Sequence, residues 1–195
     1  MEKKPGLDVV GVVLAGGESR RLGRDKCLVQ VNREYLPVRM VKLIKGFCPR
    51  VLFIGRSARE FGLDIDWSPD DYPGIGPLGG ILTALRLAGN RPCLVLACDL
   101  PFLGPGCLNL LIKERKQRPA SAVMTTFLQV ETGYIEALVS IYEPGALSFL
   151  YPGLKQGVYK LSRLIPESFR HHIPYSVERS TCFFNVNHPD DLKHL

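Results

Sequence analysis

The stretch VVLAGGESRRLGRDK, residues 12–26, stops an apolar run at two adjacent glycines and then carries four basic residues. Glycines let a backbone approach a phosphate closely and point its N–H groups at it. Arginine can grip a phosphate through two parallel hydrogen bonds, and lysine acts as a point charge. The stretch therefore predicts a loop that cradles a polyphosphate. It matches neither G-x-x-x-x-G-K-[ST] nor G-x-G-x-x-G, and an ordinary strand-to-helix turn with solvated arginines is the alternative.

The composition is that of one soluble globular domain spanning residues 1–195. Of the 195 residues, 46% are hydrophobic and 23% charged, and the net charge is +6. That charge suits an anionic small molecule or nucleic acid. However, no basic stripe is interleaved with aromatics, so we expect no nucleic-acid partner. Six cysteines without a C-x-x-C, and an N-terminal apolar run interrupted by Asp8, predict a reduced, cytoplasmic protein. The longest apolar stretch, 93–112, is broken by Asp99 and prolines, so we expect no membrane association.

Alternating strands and helices predict a three-layer α/β/α, Rossmann-like fold with a mostly parallel sheet. Apolar and β-branched runs predict strands at 8–14, 50–55, 63–67, 92–98, 120–126, 135–142 and 182–186. Helical spacing or start signals predict helices at 36–45, 78–88 and 105–117.

The candidate chemistry lies where predicted strands end. The glycine loop follows the first strand, Asp99 ends a central strand, and Asp70-Asp71 lies in a loop between two others. Such folds bind ligands at the carboxyl ends of their strands. For Asp99, the alternative is the N-cap of the following helix.

Four stretches together resemble nucleotidyltransferases of the molybdenum cofactor guanylyltransferase type. They are LAGGESRRLGRDK (14–26), DYPGIGPLGGI (71–81), CDLPFL (98–103) and FFNVNHPDDL (183–192). They are similar, in order, to the family's L-A-G-G-x-S-x-R-[ML]-G-x-D-K, D-x-x-x-G-x-G-P-L-A-G-I, C-D-M-P-F-L and F-x-N-x-N-T-P-E-D-L. The resemblance spans nearly the whole chain and implies a nucleotidyltransferase fold.

The resemblance also implies roles for individual residues. The nucleotide would be bound by Leu14, Ala15, Gly16, Gly17, Lys26, Asp71 and Asp99. Arg20 and Lys26 would neutralise the triphosphate, and with Asp99 they form the expected catalytic set. Asp71 would contact guanine, with Asp70 as the alternative alignment. Asp99 would bind Mg²⁺, which prefers carboxylate and phosphate oxygens, and Asn185 and Asn187 would hold the acceptor or complete the metal shell.

The implied activity is transfer of GMP from GTP to the terminal phosphate of molybdopterin, by a monomer or weak oligomer. Gly16-Gly17 favours guanine, because the related cytidylyltransferases carry L-A-A-G. A CTP-dependent enzyme, an enzyme acting on a sugar phosphate or phospholactate, and a non-catalytic nucleotide-binding homologue remain alternatives. Two positions depart from the family pattern. His188 stands where threonine is usual, and Gly55-Arg56 stands where an asparagine commonly contacts the nucleotide, so that Arg56 could supply that contact.

Overall fold

The computed structural model describes residues 8–16, 23 and 25–195. Its strands are β1 (Val10–Leu14), β2 (Gln30–Val31), β3 (Glu34–Tyr35), β4 (Arg50–Ile54), β5 (Asp66–Ser68), β6 (Cys93–Ala97), β7 (Met124–Gln129), β8 (Ile135–Tyr142) and β9 (Arg170–Tyr175). Its α-helices are α1 (Leu36–Lys45), α2 (Pro77–Ala88), α3 (Pro105–Arg115), α4 (Leu147–Lys155) and α5 (Leu161–Leu164).

Seven strands form the central sheet in the order β5-β4-β1-β6-β8-β7-β9. Within it β8 runs antiparallel to both of its neighbours, and the other pairings are parallel. The expected mostly parallel sheet is confirmed. The short β2 and β3 form a separate hairpin, whose turn residues Asn32 and Arg33 both adopt positive φ.

Helices cover both faces of the sheet, because its central strands are apolar on both sides. On β1, Val13 packs on the face covered by α1 and α3. Val10 and Val12 pack on the opposite face, against α2, α4 and α5. This continuous apolar run is typical of a strand buried in a parallel sheet. The described residues thus form the predicted three layers.

The C-terminal part differs from the prediction. Residues 182–186 form no strand. A 3-10 segment, Val177–Phe183, ends at the buried Phe183 and leads into an irregular stretch in which Val186 is buried. The last strand is β9, which pairs with β7. Its sequence, RHHIPY, does not read as a strand because it is polar and contains Pro174. An edge strand tolerates both features, since one side of its ladder needs no partner. Helix α4, with Pro152 inside it, was also not predicted.

The carboxyl ends of β1, β4 and β6 lie at one edge of the sheet, since these strands are adjacent and parallel. The residues that follow them, from Ala15, Gly55 and Cys98 onward, are therefore neighbours in space. Across the described ranges, no helix combines the length and apolarity needed to cross a bilayer.

Candidate active site

Lys26 joins three distant segments of the chain at this edge. Its Nζ donates to Asp99 Oδ2 at 2.8 Å and to Asn187 Oδ1 at 2.5 Å. Lys26 is the last residue of the first sequence motif, Asp99 lies in the third motif and Asn187 in the fourth. The structure thus brings together three of the residues that the sequence proposed as a site.

The Asp25 side chain stabilises the turn that carries Lys26. The Asp25 carboxylate accepts a hydrogen bond from the Cys27 amide at 2.9 Å and lies 2.5 Å from Arg56 Nη1. Arg56 also pairs with Glu60 at 3.0 Å and lies over the Phe61 ring. Partial burial of Asp25 opposes its ionisation, but the bonds from Arg56 and the Cys27 amide outweigh this and lower its pKa. Arg56 therefore braces the turn instead of pointing freely toward a nucleotide.

Asp99 follows β6 directly, and its two carboxylate oxygens differ. Oδ2 is bonded to Lys26, whereas Oδ1 is buried without a hydrogen-bond partner among the described atoms. The Asp99 carbonyl accepts from the Val186 amide at 3.0 Å, which fastens the C-terminal segment to this strand end. Asp99 is not a helix N-cap, because Gly104 takes that position for α3. An orphaned carboxylate oxygen at a sheet edge suits a cation that takes one or two protein carboxylates and completes its shell with phosphate oxygens.

Asp191 sets the position of Asn187. One oxygen, Oδ2, accepts from the amides of both Asn187 and His188 at 2.7 Å. These bonds lower the pKa of Asp191. Asn185, the other proposed amide, donates to the Phe183 carbonyl at 2.9 Å and so stabilises the preceding turn. The role of Asp191 was not recognised from the sequence, although its place within the PDDL stretch was the available signal.

The residues at the end of β1 make close backbone contacts. Leu14 and Ala15 are buried, and the Ala15 carbonyl accepts from the Cys27 thiol. Gly16 is exposed and lies against Gly55. A Cβ added to Gly55 would lie only 2.5 Å from the Gly16 Cα. Gly55 also has a φ of +111°, which strains any other residue. Gly17 and Arg20 lie outside the described residues.

The two candidate aspartates of the second motif take different positions. Asp70 Oδ1 accepts from the Tyr72 amide at 2.8 Å and faces Thr83, so it holds the loop against α2. Asp71 is exposed and its Oδ2 accepts from Arg86 at 2.7 Å.

A pair of buried cysteines lies beneath the Lys26–Asp99 contact. The sulfur atoms of Cys27 and Cys98 are 3.6 Å apart. The hydrogen bond from Cys98 lowers the pKa of Cys27, and the same bond together with burial raises that of Cys98. Each thiol is adjacent in sequence to a site residue, Cys27 to Lys26 and Cys98 to Asp99, so the pair packs next to the site.

Known proteins resemble this chain over most of its length. A probable molybdenum cofactor guanylyltransferase of Pelotomaculum thermopropionicum is 30% identical over 193 residues, covering 95% of this chain and 91% of the relative. Another, from Thermococcus gammatolerans, is 31% identical over 194 residues, covering 96% and 98%. The crystal structure of molybdopterin-guanine dinucleotide biosynthesis protein A from Archaeoglobus fulgidus is 28% identical and superposes with a TM-score of 0.70 over 95% of both chains.

The sequence profile of the MobA-like NTP transferase domain matches residues 11–167. That match includes the glycine loop, the Asp71 loop and Asp99. This chain therefore belongs to the MobA-like NTP transferase family.

Proposed function

We propose that this protein transfers GMP from GTP to the terminal phosphate of molybdopterin, releasing pyrophosphate and forming the guanine dinucleotide cofactor. The observation that carries the proposal is the Lys26–Asp99–Asn187 contact, which joins three separate motifs at the ligand-binding edge of the sheet. Both relatives described above carry the name molybdenum cofactor guanylyltransferase.

The reaction needs no strong general base. A terminal phosphate oxygen of the acceptor is already anionic, and it forms the new bond to the α-phosphorus of GTP. The bond from that phosphorus to the bridging oxygen breaks, and the electron pair leaves with pyrophosphate. Catalysis is then mainly positioning and charge neutralisation. Lys26 supplies positive charge for the leaving group, and Asn187 offers a neutral amide that adds no negative charge near the phosphates.

Mg²⁺ is the cation we propose for Asp99. The buried Oδ1 of Asp99 is available as a ligand. The Asn187 side-chain amide is close by, because Lys26 bonds to both Asp99 and Asn187. The described residues contain no group of three His, Cys, Asp or Glu side chains that could hold a metal without help from a substrate. When bound, Mg²⁺ would offset the charge of the triphosphate, as it does at other phosphoryl-transfer sites.

Asp71 is the residue we propose for recognition of guanine. Asp71 is exposed and its Oδ2 is bonded to Arg86 at the surface, whereas the Asp70 carboxylate is bonded to the Tyr72 amide and faces Thr83 of α2. A carboxylate matches the two adjacent N–H donors on the guanine edge. Lys26 would share the triphosphate with the glycine loop, within which we assign Gly17 and Arg20 by resemblance.

The direct test incubates the purified protein with each of the four NTPs, Mg²⁺ and molybdopterin, and follows dinucleotide and pyrophosphate formation. We expect product with GTP. A product with CTP alone assigns the cytidylyl activity instead, and turnover with a sugar phosphate or phospholactate but not molybdopterin assigns that acceptor class. Nucleotide binding without turnover of any acceptor identifies a non-catalytic homologue.

The metal assignment has its own test in Asp99→Asn. We expect this variant to fold and to bind GTP, but to lose nearly all turnover, because an amide replaces the carboxylate ligand. Activity close to the parent protein at saturating Mg²⁺ contradicts the assignment.

A further inference from the structure

Strand β8 carries a bulge close to the site. Thr126 of β7 pairs with Ser140, but Leu128 pairs with Ile135, so residues 135–140 of β8 face only residues 126–128 of β7. Within the bulge the Ser140 hydroxyl donates back to the Glu136 carbonyl at 2.7 Å. Bulges are frequent beside active sites, where they redirect a side chain. Glu136 lies within this irregular stretch of β8.

Glu136 is a buried carboxylate to which the described residues supply no cation. It is 7% exposed and accepts one hydrogen bond, from the Tyr175 hydroxyl at 2.5 Å. Among the described residues, no lysine, arginine or histidine forms an ion pair with it. Glu143, just after the other end of β8 and 8% exposed, by contrast accepts two hydrogen bonds from Arg115 and forms an ion pair with Arg118 at 3.2 Å.

Burial raises the pKa of Glu136, and the Tyr175 bond offsets this only in part. A buried charge that the fold leaves unpaired is costly. Such local violations of the usual rules tend to occur where a ligand completes the interactions.

The position of Glu136 points to the acceptor half of the site. The sheet order places β8 next to β6, on the side away from β4 and the Gly16–Gly55 contact. Tyr134, just before β8, is 59% exposed. The antiparallel register of β6 and β8 pairs Leu96 with Val139, so the start of β8, which carries Glu136, lies at the sheet edge where β6 ends and Asp99 follows. Tyr175 packs on Phe183, which leads into the Asn187 segment, with ring centroids 4.7 Å apart.

We propose that Glu136 binds the amino-pyrimidinone edge of the pterin acceptor, and that Tyr134 supplies a face for the pterin ring. This rests on the function proposed above. The exocyclic amino group and the neighbouring ring N–H of a pterin are two donors on one edge. An ionised carboxylate can accept both while keeping the bond from Tyr175, because it has about four lone-pair sites. An exposed aromatic ring stacks readily on a flat heterocycle.

Two commercially available rings test the carboxylate directly. Pterin has the 2-amino group, and lumazine carries an oxygen in its place. Titrations followed by their intrinsic fluorescence measure affinity without any turnover. We expect the parent protein to bind pterin roughly tenfold or more tightly than lumazine, by the usual strength of hydrogen bonds to a charged group. Glu136→Gln should bind the two alike, and Glu131→Gln, in the exposed loop between β7 and β8, should behave as the parent.

Steady-state kinetics should agree. Glu136→Gln should raise the KM for molybdopterin roughly tenfold to a hundredfold, with little change in the KM for GTP. Its thermal midpoint should equal or exceed that of the parent, because the substitution removes an unpaired buried charge. A merely structural role predicts a lower midpoint and an unchanged preference for pterin, and that result overturns the proposal.

A second variant tests the proposed site even if Glu136→Gln does not fold. Tyr134→Leu changes an exposed side chain, and we expect it to weaken binding of both rings roughly tenfold through lost stacking. Failure of the parent protein to distinguish pterin from lumazine refutes the role of Glu136, whereas failure to form any dinucleotide refutes the proposed function. The two failures are therefore distinguishable.

Discussion

At the scale of single residues, Lys26 connects the site. Its ammonium bonds to a carboxylate that follows β6 and to an amide near the C-terminus. A lysine can serve both partners because its ammonium has three donors in a compact group. In the reaction we propose, the same charge lies where the pyrophosphate leaves.

Lys26→Ala should lower kcat roughly a hundredfold or more, since a single electrostatic contact in a closed site has effects of that size. Lys42→Ala is the matched control, because Lys42 is an exposed lysine bonded to Glu34 and should contribute little. Steady-state kinetics separate the possibilities, with circular dichroism to confirm folding. A change confined to the KM for GTP means that Lys26 contributes uniform binding and has no role specific to the transition state.

Asp25 should make stability depend on pH in the acid range. Its pKa is lowered in the folded protein despite partial burial, chiefly through Arg56. The stabilisation is therefore fully present above the unfolded pKa of about 4 and is lost as pH falls through the lower folded value. Thermal unfolding of the parent and Asp25→Asn should differ at pH 6, and the difference should shrink progressively below about pH 4. A difference that stays constant from pH 6 to pH 3 contradicts this account.

At the scale of elements, the first turn of α2 holds the Asp70-Asp71 loop through two glycines. A Cβ at Gly79 would meet the Tyr72 carbonyl at 2.4 Å and Asp70 Oδ1 at 2.7 Å, and one at Gly80 would meet Leu14 Cδ2 at 2.9 Å. The Tyr72 carbonyl is backbone and cannot move aside as a side chain can, so the close approach of helix and loop requires glycine at position 79. Gly106, in the first turn of α3, has open space instead.

Gly79→Ala should destabilise the protein by about 1–3 kcal/mol, the usual cost of forcing an extra methyl into a packed position. It should also raise the KM for GTP, because the loop that carries Asp71 must move. Gly106→Ala is the matched control and should stabilise α3 by up to about 1 kcal/mol, because alanine is the better helix former. Chemical denaturation of the parent, Gly79→Ala and Gly106→Ala compares their free energies of unfolding. Equal effects of the two substitutions argue against a close contact between Gly79 and the Asp70-Asp71 loop.

At the scale of the whole molecule, one sheet separates two apolar cores, and its strands belong to both. If the helices on one face unfold, the apolar face of the sheet beneath them is exposed to water. The two helical layers and the sheet should therefore unfold together. We expect a single calorimetric transition with matching van't Hoff and calorimetric enthalpies. GTP should raise its midpoint by binding the folded state alone. Two separable transitions contradict the single-domain prediction.

The sequence alone determined the layers and the edge of the sheet at which the candidate site residues lie. The runs at β1, β4 and β6 are apolar without alternation, and that pattern is specific to strands covered on both faces. Helix α1 was predicted with its observed bounds, and β8 likewise. The strand expected at 182–186 was wrong, because an apolar run records burial and does not record whether a strand partner is available.

Tertiary structure alone decided which residues meet. Arg56 was a candidate for the nucleotide from its position in the sequence, yet it pairs with Asp25, a residue 31 positions away. Asn185 and Asn187 look equivalent in the motif. Of the two, only Asn187 donates its backbone N–H to Asp191, and the side-chain oxygen of Asn187 accepts from Lys26. Glu136 was not predicted as a site residue, because its burial is set by the packing of β8 and because its partner, Tyr175, lies on β9, a strand that the sequence did not predict. Local patterns reflect the environment of one segment, whereas each of these pairings depends on how distant segments converge at one edge of the sheet.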